Sequence, residues 1–422
     1  MKAMDGWPTY RLGDCIKLLS GGTPSKAKEA YWCGNIPWIS NKDMKVTRIY
    51  ESEDYLSDLG AKNGTHLVSA GTVLIVVRGM ILAKKFPVAM AMRRVAFNQD
   101  LKAIECISHV IPQFLFYWLQ GKEYEMLGLA DEAAHGTKRI QTDRFLNYPI
   151  ELPDPDIQRK IAAILSAYDD LIENNTRRIK ILEEMAQALY REWFVNFRFP
   201  GHEKVRMVDS PLGEIPEGWK NQNLCDICSK LTDGTHDTPD PATEGFFLVT
   251  GRHIVNGFVD FTNCYCISPK EHEEVMKRSR PEKGDIIFSN IGTLGSTAIV
   301  DQDFEYSIKN VALLKPLKKI YSNFIYLYLS APETLNMMSR RASGTSQKFF
   351  SLYFLRKSKL IVPTDEILSF FDNMIGSIIE QRSIIHKRNI NLRRTRDLLL
   401  PKIISGELDV ENLDINLGNL NT

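Results

Sequence analysis

No stretch of this chain is apolar over the roughly 18 to 20 residues that a membrane-spanning helix needs, and residues 1–7 hold no apolar signal region. Both absences point to a cytoplasmic protein. The seven cysteines among the 422 residues are irregularly spaced, which suits a reducing compartment better than a disulfide framework. Net charge is nearly absent, +1 at pH 7, whereas nucleic-acid binders usually carry a basic surplus. Catalytic signatures are missing too. There is no Gly-x-x-x-x-Gly-Lys-Ser/Thr loop, no Gly-x-Gly-x-x-Gly after a strand and no Gly-x-Ser-x-Gly elbow. Nor is there a Pro-Pro-Tyr or Pro-Pro-Phe sequence of the amino-methyltransferase kind. His272-Glu273-Glu274 lacks the second histidine one turn on that a zinc protease requires. Cys225, Cys228, Cys264 and Cys266 invite a check as zinc ligands, but the second pair has a single intervening residue where zinc knuckles have two or more. The first half of the chain has Gly13 and Ile16 where the second has Cys225 and Cys228. These cysteines read as small core residues, and no metal, cofactor or catalytic residue is expected in this chain.

What is present is a duplication. The hydrophobic fraction of 44% and charged fraction of 25% are those of an ordinary soluble globular protein, long enough for two to four domains. Gly6-Trp7 is answered by Gly218-Trp219, and Leu12-Gly13-Asp14 by Leu224-Cys225-Asp226. Gly21-Gly22-Thr23-Pro24 is answered by Asp233-Gly234-Thr235, and Ala70-Gly71-Thr72-Val73-Leu74-Ile75 by Lys283-Gly284-Asp285-Ile286-Ile287-Phe288. Gly136-Thr137-Lys138 is matched at Gly344-Thr345-Ser346, and Leu152-Pro153 at Val362-Pro363. The offset stays near 210 residues, so the copies are collinear. Strand candidates at 72–77, 285–290, 297–300 and 311–314 suggest a mixed α/β (α+β) globule in each half.

Each half closes on a long helix. Asp154-Pro155-Asp156 is a helix start. Ile157, Ile161, Ile164, Tyr168, Leu171, Ile179, Leu182, Met185, Leu189 and Trp193 then step by threes and fours, a coiled-coil seam with Asn175 placed to fix register. The spacing predicts a rod of roughly 65 Å ending near Phe197. The second seam reads Ile367, Phe371, Met374, Ile378, Ile385, Leu392 and Leu398, a rod of roughly 50 Å ending by Pro401 and Ser405-Gly406. Each stripe needs a partner, and antiparallel pairing of the two is the economical solution. The expected boundaries are a first globular domain at 1–153, its helix at 154–200, a second globular domain at 201–363, its helix at 364–409 and a tail at 410–422.

The missing basic surplus is local. Residues 78–94 hold five basic residues and no acid, and residues 339–360 hold six and no acid. Such faces bind phosphate in a neutral protein.

The helical segments also carry a resemblance. Gln158-Arg159-Lys160-Ile161-Ala162-Ala163-Ile164-Leu165-Ser166, Asp169-Asp170-Leu171-Ile172-Glu173-Asn174-Asn175 and Leu189-Tyr190-Arg191-Glu192-Trp193-Phe194-Val195-Asn196-Phe197 resemble the specificity subunit of Type I restriction-modification enzymes. So do Ser210-Pro211-Leu212-Gly213-Glu214-Ile215-Pro216-Glu217-Gly218-Trp219 and Leu398-Leu399-Leu400-Pro401-Lys402-Ile403-Ile404-Ser405-Gly406-Glu407-Leu408. One departure is the second helix start, Asp365-Glu366-Ile367, which has no glutamine in the place of Gln158. The resemblance implies two target-recognition domains, each reading one half of a bipartite duplex DNA site. It implies helices that set the spacer and dock two modification (methyltransferase) subunits, with restriction (translocase/nuclease) subunits added. S-adenosylmethionine, ATP and Mg then belong to those partners, and this chain is a non-catalytic subunit in phage defence. The alternative from another class is a coiled-coil protein-interaction scaffold indifferent to DNA sequence; the two basic runs weigh against it.

Base reading takes Arg, Lys, Asn, Gln, Ser, Thr or His held on a firm scaffold. In the first half the candidates are Thr23, Lys26, Arg78, Lys84, Lys85, Thr137, Lys138, Arg139 and Gln141. In the second they are Thr235, His236, Arg252, His253, Asn290, Arg340, Arg341, Thr345, Ser346, Gln347 and Lys348.

Overall fold

The computed structural model describes residues 7–107, 109–132, 136–341 and 348–415. The chain forms two compact units, Met1–Asn174 with Asn389–Thr422, and Asn175–Arg388. Each holds a globule together with part of both long helices.

The first unit is built on a five-stranded sheet. Ile16–Ser20 pairs antiparallel with Leu101–Cys106, which pairs antiparallel with Val73–Val76. Val88–Ala91 follows antiparallel, and Arg48–Ile49 closes the edge in parallel. Val73, Leu74, Ile75 and Val76 are fully enclosed; a continuous apolar run rich in β-branched residues suits a strand covered on both faces. Ile36–Ile39 lies parallel to Val95–Phe97 in a second sheet. Thr9–Arg11 pairs with Pro149–Glu151, which fastens the start of the globule to its end.

The second unit repeats this plan. Cys228–Asp233, Ala312–Pro316, Ile286–Phe288 and Thr297–Ile299 form the antiparallel core in the same order. Phe246–Val249 runs parallel to Ser307–Ile308, as Ile36–Ile39 does to Val95–Phe97. Lys220–Asn223 pairs with Lys359–Val362, as Thr9–Arg11 does with Pro149–Glu151. The repeat seen in the sequence is thus a repeat of topology, and the four strand candidates coincide with core strands.

The long helices run Pro155–Tyr190 and Asp365–Ile404. Within each unit they pair antiparallel. In the first, Arg396 meets Asp169 (Nη1–Oδ1, 2.5 Å) and Asn389 Nδ2 donates to the Ile172 carbonyl (3.1 Å). In the second, Arg382 Nε lies 2.9 Å from Glu183 Oε2. The seam agrees with the expected one at Ile161, Trp193, Phe371 and Ile385, and elsewhere falls one residue on, as at Leu165, Ile172, Leu368 and Ile375. Leu171 and Met185, expected inside, are 54% and 47% exposed, while Gln158, Asp169 and Arg382 are enclosed. The reason is that the buried polar groups are partnered. Gln158 accepts from the Ile111 N–H and donates to the carbonyls of His109 and Pro153. Tyr117 donates to Asp169, and Tyr326 to Glu183. Once a charge is hydrogen-bonded and paired its burial becomes tolerable, and the apolar stripe no longer dictates the seam alone. The buried asparagine is Asn389 on the second helix, where Asn175 on the first was expected.

The helix ends also differ from expectation. The first passes into a π-turn at Arg191–Val195, which packs Trp193 and Phe194 against Phe371, with ring centroids 5.4 and 4.6 Å away. The second continues through Pro401 to Ile404 and spans 40 residues, about 60 Å, longer than the expected rod.

Candidate nucleic-acid interface

In the first unit a three-stranded ribbon projects the densest basic group. Ala130–Glu132 pairs with Lys138–Ile140, which pairs with Arg78–Gly79. The register sets Arg139 directly opposite Arg78 and Lys138 opposite Gly79. Asn41 Nδ2 donates to the Arg78 carbonyl at 3.0 Å and holds this edge in place. Gly79 has φ +147°, a region side chains avoid. A 3-10 turn, Met80–Ala83, follows and delivers Lys84 and Lys85 to the surface. Arg78, Arg139, Lys84, Lys85 and Gln141 are exposed, and Thr137 and Lys138 are half-buried. Seven expected residues therefore share one ribbon and its flanks.

Thr23 and Lys26 belong to a different loop. Thr23 donates to Gln99 Oε1 at 2.7 Å, and the Lys26 ammonium lies over the Trp32 ring, 5.6 Å from its centre. The rest of the first basic run is spent on ion pairs, Arg93 with Glu51 and Arg94 with Asp58.

In the second unit the expected residues are more scattered. Thr235 bridges to Lys309, with its hydroxyl accepting the Asp237 N–H. His236 is exposed but held between Asn310 Oδ1 and Asp233 Oδ2, each 2.9 Å away. Arg252 is exposed, and so are Arg340 and Arg341, which follow helix Pro332–Ser339. Lys348 is exposed beside the bridge Ile291–Phe349. Thr345, Ser346 and Gln347 lie outside the described residues.

Two candidates are turned inward, contrary to their expected role. His253 is 3% exposed and its Nδ1 accepts the Thr250 N–H at 3.0 Å, capping a turn. Burial first, then the neighbouring Arg252, lowers its pKa. Asn290 is also 3% exposed, and its amide donates to the Phe350 carbonyl at 3.1 Å while Phe350 N–H donates to the Asn290 carbonyl. Both are of base-reading residue types, but burial keeps them from a base: His253 Nε2 accepts from Arg252 Nε at 3.1 Å, and Asn290 Oδ1 is buried without a hydrogen-bond partner among the described residues.

Sequence reasoning missed Asn41, Met80, Ile291 and Phe349. The repeat carries the signal for the last two: Arg78 and Arg139 in the first copy align with Ile291 and Phe349 in the second. The cysteines form no metal centre: among the described residues no group of three or more His, Cys, Asp or Glu is placed to hold an ion. Burial pushes the Cys228 and Cys264 thiols up to about 12, so they stay protonated near neutral pH. A cleft of about 640 Å³ in the second unit is lined by helix residues such as Thr176, Lys180, Glu183 and Arg382, none of them an expected site residue. Among the described residues no helix is long and apolar enough to cross a membrane.

The fold and this surface define a class: an internally duplicated α/β protein with two globules and two long helices, the first globule exposing a local cationic ribbon. The family model for the Type I restriction modification DNA specificity domain matches the chain twice, at residues 4–184 and 216–391. The chain belongs to that family, as a specificity subunit. It is 27% identical over 423 residues to the Type I restriction enzyme MjaIX specificity subunit of Methanocaldococcus jannaschii, covering 96% of this chain and 94% of that one. It is 32% identical over 203 residues to the EcoR124I/EcoR124II specificity subunit of Escherichia coli, covering 47% of this chain and 50% of that one. The crystal structure of the S subunit of a Type I restriction-modification system from M. genitalium superposes with a TM-score of 0.59 at 15% identity, covering 96% of this chain and 97% of that one. That last likeness speaks for the fold.

Proposed function

We propose that this chain is the sequence-specific DNA-binding subunit of a Type I restriction-modification complex, and that each globule reads one half of a bipartite duplex site. Residues 1–153 and 201–363 are the two target-recognition domains. The long helices set the spacer between half-sites and dock two modification subunits. Restriction subunits join that assembly. The chain performs no chemistry of its own; S-adenosylmethionine, ATP and Mg act in the partners. The observation that carries this reading is the duplicated core, with a ribbon in the first copy and a bridge pair at the equivalent position of the second, in a chain that matches a DNA-specificity family twice. Arg, Lys and Gln side chains on such a ribbon supply phosphate contacts for position and base-edge contacts for sequence. His253 and Asn290 are left out of the proposed contact set. Thr23, Lys26, Arg78, Lys84, Lys85, Thr137, Lys138, Arg139 and Gln141 remain for the first domain. Thr235, His236, Arg252, Arg340, Arg341 and Lys348 remain for the second, together with Thr345, Ser346 and Gln347.

The test is co-expression with the neighbouring modification subunit in a host free of DNA methylation, followed by genome-wide mapping of modified adenines. One split motif with a methylated adenine in each half is expected. An assembled complex that leaves the genome unmodified would remove the proposal.

A further inference from the structure

Arg78 and Arg139 face each other across an antiparallel strand pair. Like charges directly opposite on neighbouring strands are destabilising, so a compensating acid is expected beside them. Among the described residues neither guanidinium has an ion-pair partner. Asp131, opposite Arg139 on its other side, is engaged by Arg144 at 2.9 Å. Glu132 stands opposite Lys138. Residues 78–94 contain no acid. The folded unit thus holds two exposed arginines together with Lys138 at their flank and leaves their repulsion standing. Two arginines directly opposite each other can reach one phosphodiester together, each guanidinium able to donate a bidentate pair of hydrogen bonds.

The second unit has, at the equivalent position, a single bridge pair with different chemistry, Ile291 with Phe349. Ile140 N–H donates to the Val77 carbonyl at 2.9 Å, and Phe350 N–H donates to the Asn290 carbonyl at 2.9 Å. Those two bonds fix the equivalence, and the next residues along are Arg78 opposite Arg139 and Ile291 opposite Phe349. Gly79 and Gly292 follow, both at positive φ. Phe349 is 37% exposed and Ile291 half-buried. A phenylalanine and an isoleucine cannot hold a phosphate; they can stack on a base or meet a thymine methyl group.

Resting on the DNA-specificity reading, we propose that Arg78 and Arg139 form a phosphate clamp on the duplex backbone in the first half-site, and that Ile291 and Phe349 replace it in the second with an apolar contact. The two halves of the site are then held by different forces, the first salt-sensitive at this point and the second not.

The test measures the affinity of the full chain for a mixed-sequence duplex across a series of KCl concentrations. Arg78→Gln with Arg139→Gln should weaken binding about ten-fold or more at low salt and flatten the plot of log affinity against log salt by about one unit for each phosphate no longer neutralised. Arg78→Lys with Arg139→Lys should restore most of the slope. Phe349→Ala should keep the wild-type slope while lowering affinity for a duplex carrying the methylated motif. Thermal melting without DNA should show the glutamine variant at least as stable as wild type, because a repulsive pair has been removed. An unchanged slope in the glutamine variant overturns the clamp, even with the methylated motif intact. Equal flattening by Phe349→Ala overturns the contrast between the halves. A wild-type chain that binds duplex without salt dependence fails the DNA reading itself, and the clamp with it.

Discussion

Gly257 stands at φ +78°, and a Cβ added there would overlap the Arg382 guanidinium and the Tyr326 hydroxyl. Only glycine leaves that space to a charge that must be buried. Gly257→Ala combines left-handed strain with displacement of Arg382, and should cost about 2 to 4 kcal/mol, seen as a lowered Tm in calorimetry. His253 yields a prediction in pH. Its Nδ1 accepts a backbone N–H, so protonation would set two donors against each other, and its pKa is lowered by burial and by Arg252. A base whose folded-state pKa is lowered binds fewer protons folded than unfolded. Its stabilising share is present above the unfolded value, about 6.5, and is lost as pH falls below it. Tm should fall between about pH 7 and about pH 5, and His253→Asn should flatten that fall. An equal decline in the variant would assign the acid sensitivity to other groups. Histidine and asparagine looked like base readers at positions 253 and 290 because residue type is visible in a sequence and burial is not. The exposed cations of the first ribbon were legible, because five basic residues without an acid in residues 78–94 leave few folded arrangements that hide them.

The paired helices carry a second pattern that apolar spacing does not reveal. Asp169 meets Arg396, and Glu183 meets Arg382. In each pair the acid lies on the first helix and the arginine on the second, and a tyrosine of the same unit donates to the acid. The two acids stand 14 residues apart, two heptads, so both take the same seam position. Arg382 is 2% exposed and stacks over Phe258, its carbon 4.2 Å from the ring centre. Removing one member of such a pair strands the other charge. Glu183→Ala should therefore cost about 3 to 5 kcal/mol, whereas Glu183→Leu combined with Arg382→Met should cost much less. Chemical denaturation of the full chain distinguishes these outcomes; equal losses in the two variants would show that the pair itself, and not the stranded charge, sets the cost. Existence and approximate length of both helices were legible from three-four spacing. Their seam was legible only in part: Ile161, Trp193, Phe371 and Ile385 are buried as expected, but Leu171 and Met185 are as apolar as the residues that replace them, and there the partners of Asp169 and Glu183 decide which face turns inward. Pro401 does not stop the second helix: a proline in the last turn removes one hydrogen bond, and the packing of Ile403 and Ile404, each 3% exposed, carries the helix on to the Ser405-Gly406 end.

At the scale of the whole molecule the duplication makes a quantitative demand. If the long helices set the distance between the two readers, then removing one heptad from the middle of each, in matching register, keeps the same faces in contact and shortens both rods by about 10 Å. Duplex DNA rises about 3.4 Å per base pair, so the unspecified spacer should contract by about three base pairs while both half-motifs stay unchanged. Adenine mapping of the co-expressed complex reads both quantities in one experiment. Removal of four residues instead of seven would rotate the seam by part of a turn and bring Leu171-type faces inward. That variant should lose modification altogether, not shift its spacer. A heptad deletion that leaves the spacer at its original length would separate recognition from helix length, and the distance between half-sites would then have to be set by the modification subunits.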